Sequence, residues 1–232
     1  IILLENDLNI IIDGIHEGRK IFVNSIKYIK ATLASNFGNF YAVAIASLLV
    51  DYLPMLPLQI LLLNLVSDFP MIAIAGDNVD DEELLLPKRY EVKDIIIAAL
   101  SLGLISTMFD FVFFALFSRI SPAVLQTNWF IASTITELLF IFSIRSRRFF
   151  LFARRPSIAL VAFTIPAALI AIFIPFSRFG QTFFKFTPPE PKHLLWILGI
   201  ALLYLASTEI FKILYYRKSK KTPQSLSLVK NI

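Results

Sequence analysis

The sequence predicts an all-α membrane protein: six transmembrane helices preceded by a short cytoplasmic N-terminal remnant. Three observations carry that expectation. Hydrophobic residues make up 57% of the 232 positions and 23 are Phe, with only 17% charged. A soluble domain of this size carries more charge and less aromatic bulk. Apolar runs long enough for a helix rising about 1.5 Å per residue to cross about 30 Å of hydrocarbon recur six times. They fall at 31–50, 53–75, 95–117, 128–144, 157–175 and 194–215. Finally, the basic residues sort between alternate connections, as the positive-inside rule requires of a polytopic chain.

Taken in order, the elements begin with residues 1–14, which read as the end of a soluble domain. Ile10–Ile12 is a short apolar run closing in Asp13-Gly14, the signature of a strand end and turn. Over 15–30, Ile15, Phe22, Ile26 and Ile29 recur among Arg and Lys, which predicts an amphipathic, stalk-like helix. No breaker separates it from the first span. The membrane domain covers 31–216. Its second span carries Pro54, Pro57 and Pro70, and its fourth is short at the apolar centre. Thr187-Pro188-Pro189-Glu190-Pro191 is a stiff loop before the last span. A basic tail, 217–232, is placed to touch anionic lipid headgroups through Arg217–Lys221.

All but four of the 22 Lys and Arg residues lie on the side of the two termini; Arg119, Arg178, Lys185 and Lys192 are the exceptions. The rule places both termini in the cytoplasm. The net charge of +5 is therefore an orientation signal, and no nucleic-acid partner is expected. Cysteine is absent, which excludes disulfides and thiolate metal sites. His16 and His193, far apart, offer no zinc site. The chain opens on Ile without a secretory signal and reads as an internal or C-terminal piece. It has no phosphate-binding Gly-x-x-x-x-Gly-Lys-Ser/Thr loop and no Ser/His/Asp hydrolase arrangement.

Two polar pairs interrupt the first two spans: Asn36 with Asn39, and Asn64 with Asp68. Spacings of three and four residues put each pair on one helix face. Such groups in hydrocarbon cost several kcal/mol unless paired, hydrated or ion-bound. Pro70 leaves the Val66 carbonyl without its helical donor. Asp68, Asn64 and free carbonyls then form an oxygen set suited to magnesium or calcium, which Asn36 and Asn39 can complete. Hydrogen bonding across a helix pair is the alternative for the asparagines. Asp110, one turn beyond Ser106 and Thr107, is expected to hydrogen-bond between helices, and Glu209 to pair with Lys212. Glu137, mid-way along the fourth span, is either an auxiliary ligand or a proton-linked carboxylate. The acidic segment Asp77-Asn78-Val79-Asp80-Asp81-Glu82-Glu83 is either a solvated loop or a docking surface for a cytoplasmic domain.

The run Ser35-Asn36-Phe37-Gly38-Asn39, then Met55-Leu56-Pro57-Leu58 through Asn64-Leu65-Val66-Ser67-Asp68, resembles the fifth and sixth transmembrane helices of P-type cation-transporting ATPases. The bacterial magnesium-transporting subgroup is the nearest. Glu17-Gly18-Arg19-Lys20, Lys27-Tyr28-Ile29-Lys30, Asp77-Asn78-Val79-Asp80, Phe109-Asp110, Trp129-Phe130 and Arg145-Ser146-Arg147-Arg148 fit as well. The resemblance implies that the six spans are transmembrane helices five to ten and that residues 1–14 end a phosphorylation domain. It puts Asn36, Asn39, Asn64 and Asp68 at ion-coordinating positions, with Ser67 nearby. Asp77, Asn78, Asp80 and Asp81 would form the coupling loop. It implies Mg2+ as transported ion and as counter-ion of ATP. It also implies actuator, nucleotide and phosphorylation domains upstream, and a bacterial or archaeal plasma membrane. Calcium pumps carry glutamate where this chain has Asn39, and the magnesium subgroup usually has an amide where it has Glu137. Calcium and proton pumps therefore stay open, as does a non-enzymatic polytopic protein such as a secondary transporter or regulatory subunit.

Overall fold

A computed structural model describes residues 8–220, with side chains described for 9–217. Residues 1–7 and 221–232, including part of the expected domain remnant and most of the basic tail, lie outside the described residues. The helices in chain order are α1 (Leu8–Leu49), α2 (Pro57–Ala73), the short α3 (Asp81–Leu84), α4 (Val92–Phe117), α5 (Pro122–Ile144), α6 (Ile158–Phe173), the short α7 (Arg178–Phe183) and α8 (Pro191–Lys220). Among the described residues there is no strand. α1, α2, α4, α5, α6 and α8 are each long and apolar enough to cross a membrane. The expected all-α, six-span architecture is what the chain adopts.

Two local expectations are corrected. Ile10–Ile12 and Asp13-Gly14 lie inside α1, not in a strand and turn. An Asp-Gly turn needs left-handed backbone at its glycine, and no glycine here has positive φ. The helix needs only a glycine cost of about 1 kcal/mol, which neighbouring helical turns absorb. The second span starts at Pro57, not near 53: its ring fixes φ for a first helical turn that has no use for a donor. Pro54 packs, buried, in the segment before it.

α5 occupies the centre. About 78% of its apolar window is buried, against 22–44% for the other spans, and it touches α2, α4, α6 and α8. It also starts earlier than hydropathy suggests, at Pro122, capped by the Ser121 hydroxyl, which accepts from the Val124 amide at 3.2 Å. Gln126 and Thr127 hid that turn from the sequence reading. They are polar but buried, Gln126 donating to the Leu53 carbonyl at 2.8 Å and Thr127 accepting from the Thr187 amide at 2.9 Å.

α1 lies along α4, the most extensive helix pair, and touches α2 only sparsely. Two glycines permit the approach. A Cβ at Gly103 would sit 3.0 Å from the Ala34 carbonyl, and one at Gly38 would sit 3.0 Å from Ser106 Cβ. Thr107 donates across this seam to the Gly38 carbonyl at 3.3 Å. The seam fixes the rotation of α1, and with it where Ser35 and Asn39 point.

Candidate functional site

The side chains with chemical potential gather at two levels. One is mid-way along the spans. Ser35 and Asn39 from α1, Ser106 and Asp110 from α4, and Ser133, Thr136 and Glu137 from α5 line one cavity of about 10 Å³, closed by Tyr204 from α8. That is room for about one water-sized body. The Ser35 hydroxyl donates to Glu137 Oε1. Ser67 and Asp68, on α2, lie within electrostatic reach of the same carboxyl group. Glu137 therefore stands between α1 and α2, though those two helices scarcely touch.

Asp110 behaves as the sequence suggested. Its Oδ1 accepts from Trp129 Nε1 at 2.8 Å and from the Ser133 hydroxyl at 3.4 Å. Its Oδ2 and Glu137 Oε2 are buried without a hydrogen-bond partner. Trp129 and Ser133 are residues that sequence reading did not assign to the site; their one-turn spacing along α5, continuing to Glu137, was the available signal.

The remaining predicted ligands divide. Asn39 reaches the cavity, while Asn36 is exposed on the outer surface of α1. Ser67 is buried and donates to the Leu63 carbonyl at 3.0 Å. Asn64 and Asp68 are exposed on α2, in one stripe with Leu61, Leu65, Phe69 and Ile72. No hydrogen bond or ion pair to Asn36, Asn39, Asn64 or Asp68 side chains occurs among the described residues. Among those residues no cluster of three His, Cys, Asp or Glu is arranged to hold a metal. Any ion here would rely on carboxamides, hydroxyls and carbonyls beside one or two carboxylates.

The second level is the basic end of the bundle, and there the solvated-loop expectation is corrected. Asp77, Asp80 and Glu83 are buried. Asp77 pairs with Arg145 at 2.5 Å, accepts from the Ser157 amide at 2.7 Å, and through its own carbonyl accepts from Asn24 of α1 at 2.7 Å. Asp80 accepts from the Ser146 hydroxyl and from the Arg154 amide at 2.7 Å. Burial pushes the Asp80 carboxyl upward, but these two donors, with the nearby Lys27 and Arg148 charges, outweigh it and hold the group below its ordinary range. Glu83 pairs with Lys27 of α1 at 3.3 Å, and Val23 packs with Val79 and Leu84. Asn78 donates to the Arg155 carbonyl at 3.1 Å. Asp81 and Glu82 are exposed, paired with Arg154 and Arg148. The acidic segment is a clamp joining α1, the end of α5 and the start of α6. Its partners lie some 50–80 residues away in sequence, too distant for local pattern reading.

Glu209 accepts from Lys212 at 2.5 Å, as expected, and also from the Phe150 amide.

Comparison with known proteins places the chain in a family. Residues 52–214 match the family described as "Cation transporting ATPase, C-terminus". The chain is 34% identical over 225 residues to the "Magnesium-transporting ATPase, P-type 1" of Salmonella typhimurium strain 14028s and to that of Escherichia coli K12, covering 94% of this chain and 25% of each relative. It is 25% identical over 214 residues to the "Calcium-transporting ATPase" of Bacillus subtilis, covering 88% of this chain and 24% of that protein. The chain thus spans about a quarter of the length of these relatives. With six helices long and apolar enough to span a membrane and a family match across most of its length, this chain belongs to the C-terminal membrane region of the P-type cation-transporting ATPases.

Proposed function

We propose that the intact protein is an ATP-driven magnesium pump of the plasma membrane and that this chain forms its ion-binding membrane half. The observation that carries the reading is the α2 stripe: Asn64 and Asp68 stand unpartnered among exposed apolar residues, with Glu137 within electrostatic reach behind them. A carboxylate facing lipid alone would cost several kcal/mol. A cation, together with further protein covering that stripe, removes the cost. Asn64 and Ser67 supply neutral oxygens beside Asp68 on α2, and movement of α1 would be needed to bring Asn36 and Asn39 to them. Such low site charge suits a magnesium ion that keeps several of its waters. The relatives named for magnesium support the same cargo.

Both termini lie in the cytoplasm in this reading. Upstream actuator, nucleotide and phosphorylation domains hydrolyse ATP with Mg2+ as its counter-ion. Movement of α1, and of the clamp at Asp77, Asn78, Asp80 and Asp81, carries that event to Asp68. Glu137 favours a second reading in which the cargo is calcium or a proton, because a second carboxylate raises the charge of the site. ATP hydrolysis by the full-length protein, titrated with each cation, separates the two. Magnesium is expected to stimulate and Asp68→Asn to abolish the stimulation. Stimulation by calcium alone, or retained stimulation with unchanged ion affinity in Asp68→Asn, would refute the reading.

A further inference from the structure

At the end of the bundle opposite the clamp, α6 runs into the short helix α7 and the chain bares a series of aromatic rings. The apolar stretch Ile158–Phe176 has 19 residues. As helix that is about 28 Å, which uses up the hydrocarbon thickness and leaves α7 at the headgroup boundary. Exposed Leu169, Ile170 and Phe173 on α6 are followed in the chain by Phe176, Phe179 and Phe183, each 45–61% exposed. Phe179 and Phe183, four apart on one face of α7, are stacked with centroids 5.3 Å apart. Arg178 and Lys185 flank them, exposed and without an ion pair among the described residues. The inner side of the segment is fixed. A Cβ at Gly180 would sit 2.0 Å from the Ile174 carbonyl oxygen, so α7 lies directly on the end of α6. Phe186 is buried against Phe130 of α5, centroids 4.7 Å apart. Buried Gln59, in the first turn of α2, donates to the Phe184 carbonyl at 2.9 Å and accepts from the Leu56 amide at 3.0 Å.

We propose that α7 is a membrane-interface anchor: Phe176, Phe179 and Phe183 enter the acyl boundary of the leaflet at this end, and Arg178 and Lys185 meet its lipid phosphates. Three rings held rigidly toward water would forgo their apolar burial. Rings beside cations suit an interfacial helix, whose apolar face sinks about 5–10 Å into the boundary of headgroups and acyl chains. Only 28% of the α6 span is buried by the bundle, so its exposed side faces lipid, and the aromatic series carries that surface on. A phospholipid leaflet supplies both complements at this depth, an apolar chain for the rings and a phosphate anion for the cations. Through Gln59 and the Phe184 carbonyl, the anchor also holds the first turn of α2, the helix that carries Asn64 and Asp68. The other end of α2 runs into the clamp at Asp77. That helix is thereby tied to the lipid surface at one end and to buried charges at the other. The anchor needs only the membrane spans and is the same whichever cation the pump carries.

The test puts a fluorophore on this face of the full-length protein in phospholipid vesicles. It uses Phe179→Trp, with the emission of the unsubstituted protein subtracted to remove its native tryptophans. Phospholipid brominated high on the acyl chain is expected to quench the added emission about two-fold more than phospholipid brominated near its methyl end, and aqueous iodide to quench it little. Quenching by iodide alone would put the face in water, and no quenching by either reagent would put it under protein. Equal quenching by both lipids would put it deep in the hydrocarbon. Each of these overturns the anchor. Adding Arg178→Gln and Lys185→Gln should narrow the difference between the two lipids, since the rings sink deeper once no cation holds them at the phosphates. An unchanged difference overturns the phosphate contact. The tie to α2 is read by hydrogen exchange in lipid nanodiscs, where replacing Phe176, Phe179 and Phe183 together by Gln should speed exchange several-fold over residues 60–64. Unchanged exchange overturns the tie. Phe179→Trp, a ring-for-ring change, decides the anchor even where the triple variant fails to fold.

Discussion

The chain holds carboxylates at two levels and treats them in opposite ways. At the basic end, Asp77 and Asp80 have both oxygens engaged: Asp77 by Arg145 and the Ser157 amide, Asp80 by Ser146 and the Arg154 amide. Mid-membrane, Asp110 and Glu137 each leave one oxygen without a donor, and Asp68 has none. The residue types are the same; the number of fixed donors differs. A saturated carboxylate is an internal rivet whose charge has nothing left to offer. An unsaturated one stores an uncompensated cost that a ligand can relieve. The first group belongs to the fold, and the second, under the proposed function, is free to serve the cargo.

The contrast can be broken first at Arg145. Both members of its pair with Asp77 are almost fully buried, side-chain exposures being 3% and 1%. Arg145→Met strands the Asp77 charge and is expected to cost about 3–5 kcal/mol, the usual penalty for removing one partner of a buried pair. Denaturant unfolding of the purified protein measures this. A loss below about 1 kcal/mol would mean that the clamp is solvated after all.

A smaller effect is expected from acid. Because donors hold the folded Asp80 carboxyl below its ordinary value, its contribution is complete above the unfolded carboxylate range near pH 4. It declines as pH falls below that range and is lost once the folded group itself takes a proton. Thermal unfolding between pH 6 and pH 3 should therefore show a shallower acid limb in Asp80→Asn than in wild type. Parallel limbs would remove Asp80 from the set of saturated carboxylates.

The smallest effect belongs to the rim. Arg148 and Glu82 pair with both side chains about half exposed. Arg148→Ala should change stability by no more than about 1 kcal/mol. A larger change would show that exposed members of the acidic segment share the load of the buried ones.

How far each region could be read in advance follows from the same physics. The spans were legible because hydropathy over some 20 residues is a local property, and Asn36, Asn39, Asn64 and Asp68 stood out as polar positions within it. The early start of α5 was not legible, since Gln126 and Thr127 count as polar whether they face water or, as here, the bundle interior. Asp13-Gly14 carried a turn signal that a continuous helix overrides at small cost. The clamp was invisible for a third reason: Asp77 and Arg145 are 68 positions apart, and nothing local marks them as partners. Asp110 was read as an interhelical hydrogen bonder, which is right for Oδ1; only the packed helices reveal that Oδ2 is left over.

Ligand-induced stabilisation tests the division between fold and cargo most directly. It requires thermal unfolding of the full-length protein, without nucleotide, with and without saturating Mg2+, in wild type and in Asp68→Asn. A cation that binds only the folded protein raises its melting temperature by mass action. The account predicts a clear Mg2+-dependent rise in wild type and a much smaller one in Asp68→Asn, with the variant melting no lower than wild type when Mg2+ is absent. Equal rises in both, or an Asp68→Asn protein already destabilised without Mg2+, would contradict it.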